Sequence, residues 1–112
     1  MGSAVVRYLP SEPEIASLTA GTNPVTAGSS ETLTASGITD GNAGATIAQV
    51  AFYYIDSNNT QQLLGYGTQT SPGVWSYTFT VNLASGSDTL LAQAEDSYGV
   101  FGDAVALTLT VS

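Results

Sequence analysis

Apolar and polar residues alternate with period two through most of the chain from Glu14 onward, and clusters of Gly, Ser, Asn, Asp and Thr close each alternating run. The clearest run sets Trp75, Tyr77, Phe79 and Val81 against Ser76, Thr78 and Thr80, as a pleated strand with one buried face requires. Trp75 is the expected anchor of that face. Val50, Phe52 and Tyr54 mark another buried face, as do Leu90, Ala92 and Ala94, and then Val105, Leu107, Leu109 and Val111. Leu33 with Ala35, a weaker pair Ile15 and Leu18, and the stretch Leu63 to Tyr66 complete the set. Between these runs, Thr22 to Ser30, Gly37 to Thr46, Asp56 to Thr60, Ser71-Pro72-Gly73, Asn82 to Ser87 and Asp96 to Asp103 read as turns or loops.

Seven strands at this spacing predict an all-β fold, specifically a seven-stranded immunoglobulin-like antiparallel β-sandwich with Greek-key connections. A jelly roll asks for more strands, and a closed barrel for more even ones. The chain of 112 residues is long enough for one such domain, assigned to residues 14–112. Residues 1–13 are expected to be an expression scar, Met1-Gly2-Ser3, followed by a linker whose Pro10 and Pro13 break any ladder.

Charge narrows the partners. A formal net charge of −8 with a single Arg repels phosphate backbones and anionic membranes, which excludes nucleic-acid binding. No run approaches the roughly 18 apolar residues of a membrane span. Only 9% of the residues are charged, against roughly a quarter in an average domain. The polar, uncharged surface is that of secreted β-proteins, so an extracellular or bacterial cell-surface location is expected. The acidic charge also predicts a monomer.

The reactive side chains are few. Without His or Cys there is no Ser-His-Asp or Cys-His relay, and without Lys no Schiff base. The adjacent carboxylates Glu95 and Asp96 point to opposite faces of a strand, and a small two-sheet module offers no deep cleft. On these grounds the chain is expected not to be an enzyme.

Glu14-Ile15-Ala16-Ser17-Leu18-Thr19-Ala20, Asn23-Pro24-Val25-Thr26-Ala27-Gly28-Ser29-Ser30, Leu33-Thr34-Ala35 and Gly37-Ile38-Thr39-Asp40 resemble the opening of a bacterial immunoglobulin-like repeat family. Val50-Ala51-Phe52-Tyr53, Leu63-Leu64-Gly65, Trp75-Ser76-Tyr77 and Ala92-Gln93-Ala94-Glu95-Asp96 with Gly99 are similar to its later positions. The resemblance implies a spacer or adhesion repeat of a large secreted or surface protein, with neighbouring tandem domains of the same chain as partners. Such repeats often carry a Ca²⁺-type hairpin. Here the corresponding turn is the short Asp56-Ser57-Asn58-Asn59-Thr60, without the second acidic end.

Two sets of candidate site residues follow. In a fibronectin-like strand order, Glu12, Glu14, Asp40, Asp96 and Asp103 gather at one pole, where a shared Ca²⁺ at an interdomain joint would relieve their repulsion. Ca²⁺ is the one cofactor these oxygen ligands suit. The plainer reading is that Asp40 and Asp96 form Asx-type turns while the others face solvent. Tyr98 and Phe101, on the loop before the last strand, are the candidate ligand contacts, for a surface glycan or protein receptor; alternatively they cover a core edge or a neighbouring domain. The rival function is an accessory carbohydrate-binding module of a secreted polysaccharide-active enzyme.

Overall fold

The computed structural model describes residues 12–112, which form an all-β sandwich. Its strands are β1 (Pro13–Glu14), β2 (Ser17–Ala20), β3 (Ser30–Ser36), β4 (Thr39–Asp40), β5 (Ile47–Ile55), β6 (Gln61–Tyr66), β7 (Thr68–Ser71), β8 (Val74–Thr80), β9 (Gly86–Asp96) and β10 (Val105–Val111). One four-stranded sheet runs β10-β9-β5-β6 and the other β2-β3-β8-β7, with β1 and β4 pairing separately. Every ladder is antiparallel.

The strands among the described residues therefore number ten rather than the seven expected. The additions are ones that alternation cannot mark. β7 is Thr-Gln-Thr-Ser, exposed throughout, and exists because the edge of β8 offers it backbone partners. β1 and β4 are two residues each, too short to show a period. Most of the expected linker lies outside the described residues; Pro13, at its end, pairs with Asp40.

The expected inward residues close the middle. Leu33, Val50, Phe52, Val81, Leu90, Ala92, Ala94 and Leu109 are buried, and Trp75 packs in the same cluster. Phe52 from one sheet stacks on Tyr77 from the other, with ring centroids 5.6 Å apart, and Tyr77 stacks on Phe79 at 6.0 Å. Aromatic pairs in offset arrangements add roughly 0.5–1.5 kcal/mol beyond the area they bury, so this ladder ties the layers together where their faces meet.

The first long connection serves both sheets. β2 pairs with β3, and beyond Asn23 the chain crosses so that Val25 lies parallel to Val111. Asn23 extends the ladder with its side chain, donating Nδ2 to the Thr108 carbonyl and accepting from Thr110 N, each at 3.0 Å. At the other pole Gly102 N donates to Ala94 O at 2.9 Å, and a Cβ on Gly102 would overlap the Pro13 carbonyl. Entry beside Asp40 and exit beside Gly86, which pairs with Val111, thus lie at opposite ends of β9.

Trp75→Ala is expected to lower the unfolding free energy by about 3–5 kcal/mol, the cost of emptying a large aromatic site in a packed core. Urea titration would show this as a lower midpoint with an unchanged slope.

Candidate functional site

The acidic pole is built by the loop after β4, the loop after β9 and the entering strand β1. Asp96 ends β9 on the inward parity and is 1% exposed. Its Oδ1 accepts from Tyr98 N at 2.9 Å and Val100 N at 3.0 Å, and its Oδ2 accepts from Asn42 Nδ2 at 3.1 Å. Burial acts to raise the Asp96 carboxyl, but hydrogen bonds from Val100 N, with the Asp40 carboxyl, and from Asn42 and Tyr98 outweigh it and hold it below its ordinary value. Asp40 turns its own loop by accepting from Asn42 N at 2.8 Å, while its Oδ2 is buried without a hydrogen-bond donor.

Glu12, Glu14 and Asp103 form a separate group on the outside of the same pole. The Asp103 charge, then a hydrogen bond with Asp103, push the Glu12 carboxyl up, and Glu14 adds to the effect. Glu12, Glu14 and Asp40 border one open cleft, and Glu14 and Asp103 another. The structure thus brings the five expected carboxylates to one end, as an Asp40–Asp96 pair and a Glu12–Glu14–Asp103 group. Among the described residues, no three acidic side chains converge as ligands to one ion.

Tyr98 and Phe101 are both exposed on the loop after β9. The Tyr98 hydroxyl donates to Ala43 O at 2.8 Å, tying this loop to the one after β4, and Phe101 bridges backbone to backbone with Glu95. The hairpin after β5 is closed by Asp56, whose Oδ1 accepts from Asn58 N and Thr60 N at 2.9 Å and whose Oδ2 accepts from Gln62 Nε2. The Thr60 amide and then the Gln62 amide hold the Asp56 carboxyl below its ordinary value.

Several notable residues escaped the sequence reading. Glu31 is 3% exposed on β3, accepting from Thr22 N at 3.0 Å and Thr32 N at 2.9 Å. Asp88 on β9 has a buried, unpartnered Oδ2, and burial raises its carboxyl. Parity would have found both, since Glu31 alternates with Leu33 and Asp88 with Leu90. Leu63 on β6 is exposed beside Tyr66 because of a bulge, a register slip that no sequence period marks.

No family model matches the chain, and no curated protein matches it in sequence. Solved structures match in fold. The superoxide reductase (neelaredoxin) of Ignicoccus hospitalis is 15% identical, with a TM-score of 0.62 over 90% of this chain and 80% of that one. Two variants of that enzyme match with TM-scores of 0.61 and 0.60. The fibronectin(III)-like modules of Clostridium thermocellum CbhA are 11% identical, with a TM-score of 0.55 over 86% of this chain and 99% of that one. At these identities the likeness is one of fold.

The comparisons correct one expectation. The chain was expected not to be an enzyme, partly because its two-sheet architecture is small and lacks a deep cleft. Superoxide reductases are enzymes on a sandwich that aligns with 90% of this chain, so the architecture does not exclude catalysis. Function depends on the groups a fold carries, and a sandwich can carry a reactive site at its surface or poles. This chain carries carboxylates, hydroxyls, amides and phenols, with no imidazole, thiol or lysine amine.

The carboxyl environments set an acid profile. Asp56 and Asp96 are lowered, so their contribution to stability is present above their unfolded value of 3.8 and is lost as pH falls through their folded values. Asp88 and Glu12 are raised, so their charged forms oppose folding at neutral pH and protonation relieves that opposition. The melting temperature is expected to hold or rise slightly from pH 7 to about 4.5 and to drop below about 3.8. Asp88→Asn should raise it at pH 7, and Asp56→Ala should lower it there, both read by differential scanning calorimetry.

Proposed function

We propose that this chain is an immunoglobulin-like repeat module that spaces or presents other domains of a large extracellular or cell-surface bacterial protein. The observation that carries the reading is the separation of entry and exit. β9 runs 11 residues from beside the chain's end at Val111 to beside its entry at Pro13, roughly 34 Å of extended strand. A rod whose first and last described strands reach opposite poles stacks end to end without folding back. The two strand orders are compatible with the Greek-key sandwich of immunoglobulin-like domains, and the likeness to fibronectin(III)-like modules supports a modular role.

Stiffness comes from the antiparallel ladders and an apolar middle, and acidic surfaces keep neighbouring chains apart. The partners in this reading are the neighbouring tandem domains, and the single module is a monomer. Ca²⁺ enters at the joint, where the Glu12–Glu14–Asp103 group lies beside the entering chain and a preceding domain would supply further oxygens.

Small-angle scattering on the chain joined to its natural neighbours tests the reading. The expected result is an extended particle that lengthens by about 34 Å per copy, with a higher melting temperature in Ca²⁺ than in chelator. A compact particle whose length does not grow with copy number would refute the spacer.

A further inference from the structure

We infer that the outer face of the β10-β9-β5-β6 sheet binds a neutral polysaccharide chain on a platform of Leu63, Tyr66 and Tyr53. This goes beyond the spacer reading and does not depend on it. The platform originates in a bulge. Phe52 pairs with Gly65 but Tyr53 pairs with Leu63, so Leu64 is the extra residue of β6. Leu64 packs against the core, whereas Leu63 and Tyr66, three positions apart, are 49% and 55% exposed.

The sequence Leu63-Leu64-Gly65-Tyr66 holds this shape from below. The Tyr77 hydroxyl donates to Leu64 O at 2.8 Å, and a Cβ on Gly65 would meet the Tyr77 ring at 2.6 Å. Only glycine lets the ring sit there and support the bulge. Across the outer face, Leu63 stands opposite Tyr53, Tyr53 opposite Leu91, and Leu91 opposite Ala106. Ala51 pairs with Tyr66 on one side and Gln93 on the other; it is 5% exposed yet lies outside the inter-sheet core, so the outer side chains already pack over it. Rings ordered before binding lose little conformational freedom when a ligand stacks on them.

Charge selects the occupant. The described residues carry nine acidic side chains, yet the outward positions of these four strands include only Glu95, which accepts from Gln49 Nε2 at 2.8 Å. A second copy of a chain with net charge −8 is repelled as it approaches, and a basic partner is drawn to the acidic pole instead. A neutral glycan presents what remains complementary: apolar C–H faces for the rings and Leu63, and hydroxyls for phenol and amide groups at the rim. The four strands span about 14 Å, room for a short run of sugars.

Affinity gel electrophoresis of the purified chain in xylan, galactomannan and mixed-linkage β-glucan, with alginate as an acidic control and sedimentation on insoluble cellulose, tests this. Retention by at least one neutral polysaccharide is expected. Tyr66→Ala should weaken it at least about tenfold with the melting temperature kept. Leu63→Asn, at a side chain already half in solvent, repeats the test should Tyr66→Ala lose its fold. Thr19→Ala on the opposite sheet's outer face should bind as wild type. The inference is overturned if no neutral polysaccharide retards or captures the chain, if alginate binds as well as the neutral ones, or if neither platform variant weakens binding. It is equally overturned if sedimentation velocity shows a dimer that Tyr66→Ala dissociates, which would make a second copy the occupant.

Discussion

Nine carboxylates share residues 12–112 with no Lys, Arg or His, so no acidic side chain there can be neutralised by a cation of the same stretch. Much of the structure follows from that constraint. Each well-held carboxylate is instead wrapped by N–H donors: Asp96 by Tyr98, Val100 and Asn42, Asp56 by Asn58, Thr60 and Gln62, and Glu31 by Thr22 and Thr32. A carboxylate accepting backbone amides defines a turn as it is satisfied. Acidic residues therefore shape the loops, while Glu12, Glu14 and Asp103 crowd at one pole and Asp88 keeps a buried oxygen unpaired.

With no Cys in the chain and no cationic side chain among the described residues, the layers are held by apolar contact and by hydrogen bonds between uncharged groups. The Phe52–Tyr77–Phe79 ladder is where the two sheets engage, and Tyr77 links core to surface by donating to the Leu64 carbonyl. One side chain thus seals the middle and supports the bulge that sets Leu63 and Tyr66 outward. The opposite sheet shows a different exterior: Thr19, Thr34, Ser76 and Thr68 stand in register, and Thr32 bonds to Thr78 at 2.8 Å. Ser17 and Ser36 pair in the same way at 2.6 Å, a cross-strand hydroxyl bond of the kind that stabilises sheets.

The fold neighbours, enzymes on one side and fibronectin(III)-like modules on the other, show why architecture and chemistry must be argued apart. Topology supplies poles, edges and faces. Which of them acts in a given protein is decided by a few side chains.

Alternation in the sequence was enough to assign most strands, the inward direction of Trp75, Phe52 and Leu90, and the hairpin at Asp56. Composition alone removed the cationic and thiol chemistry, and placing Glu12, Glu14, Asp40, Asp96 and Asp103 at one end needed only the expected strand order. A period of two says which face a residue takes, but not which strand it meets or where a register slips. Hence β7, the pairing of Pro13 with Asp40, the contact of Asp40 with Asp96, and the bulge at Leu64 were decided by the folded structure. Each depends on backbone groups or side chains distant in sequence finding a partner, a condition met only once both sheets are assembled.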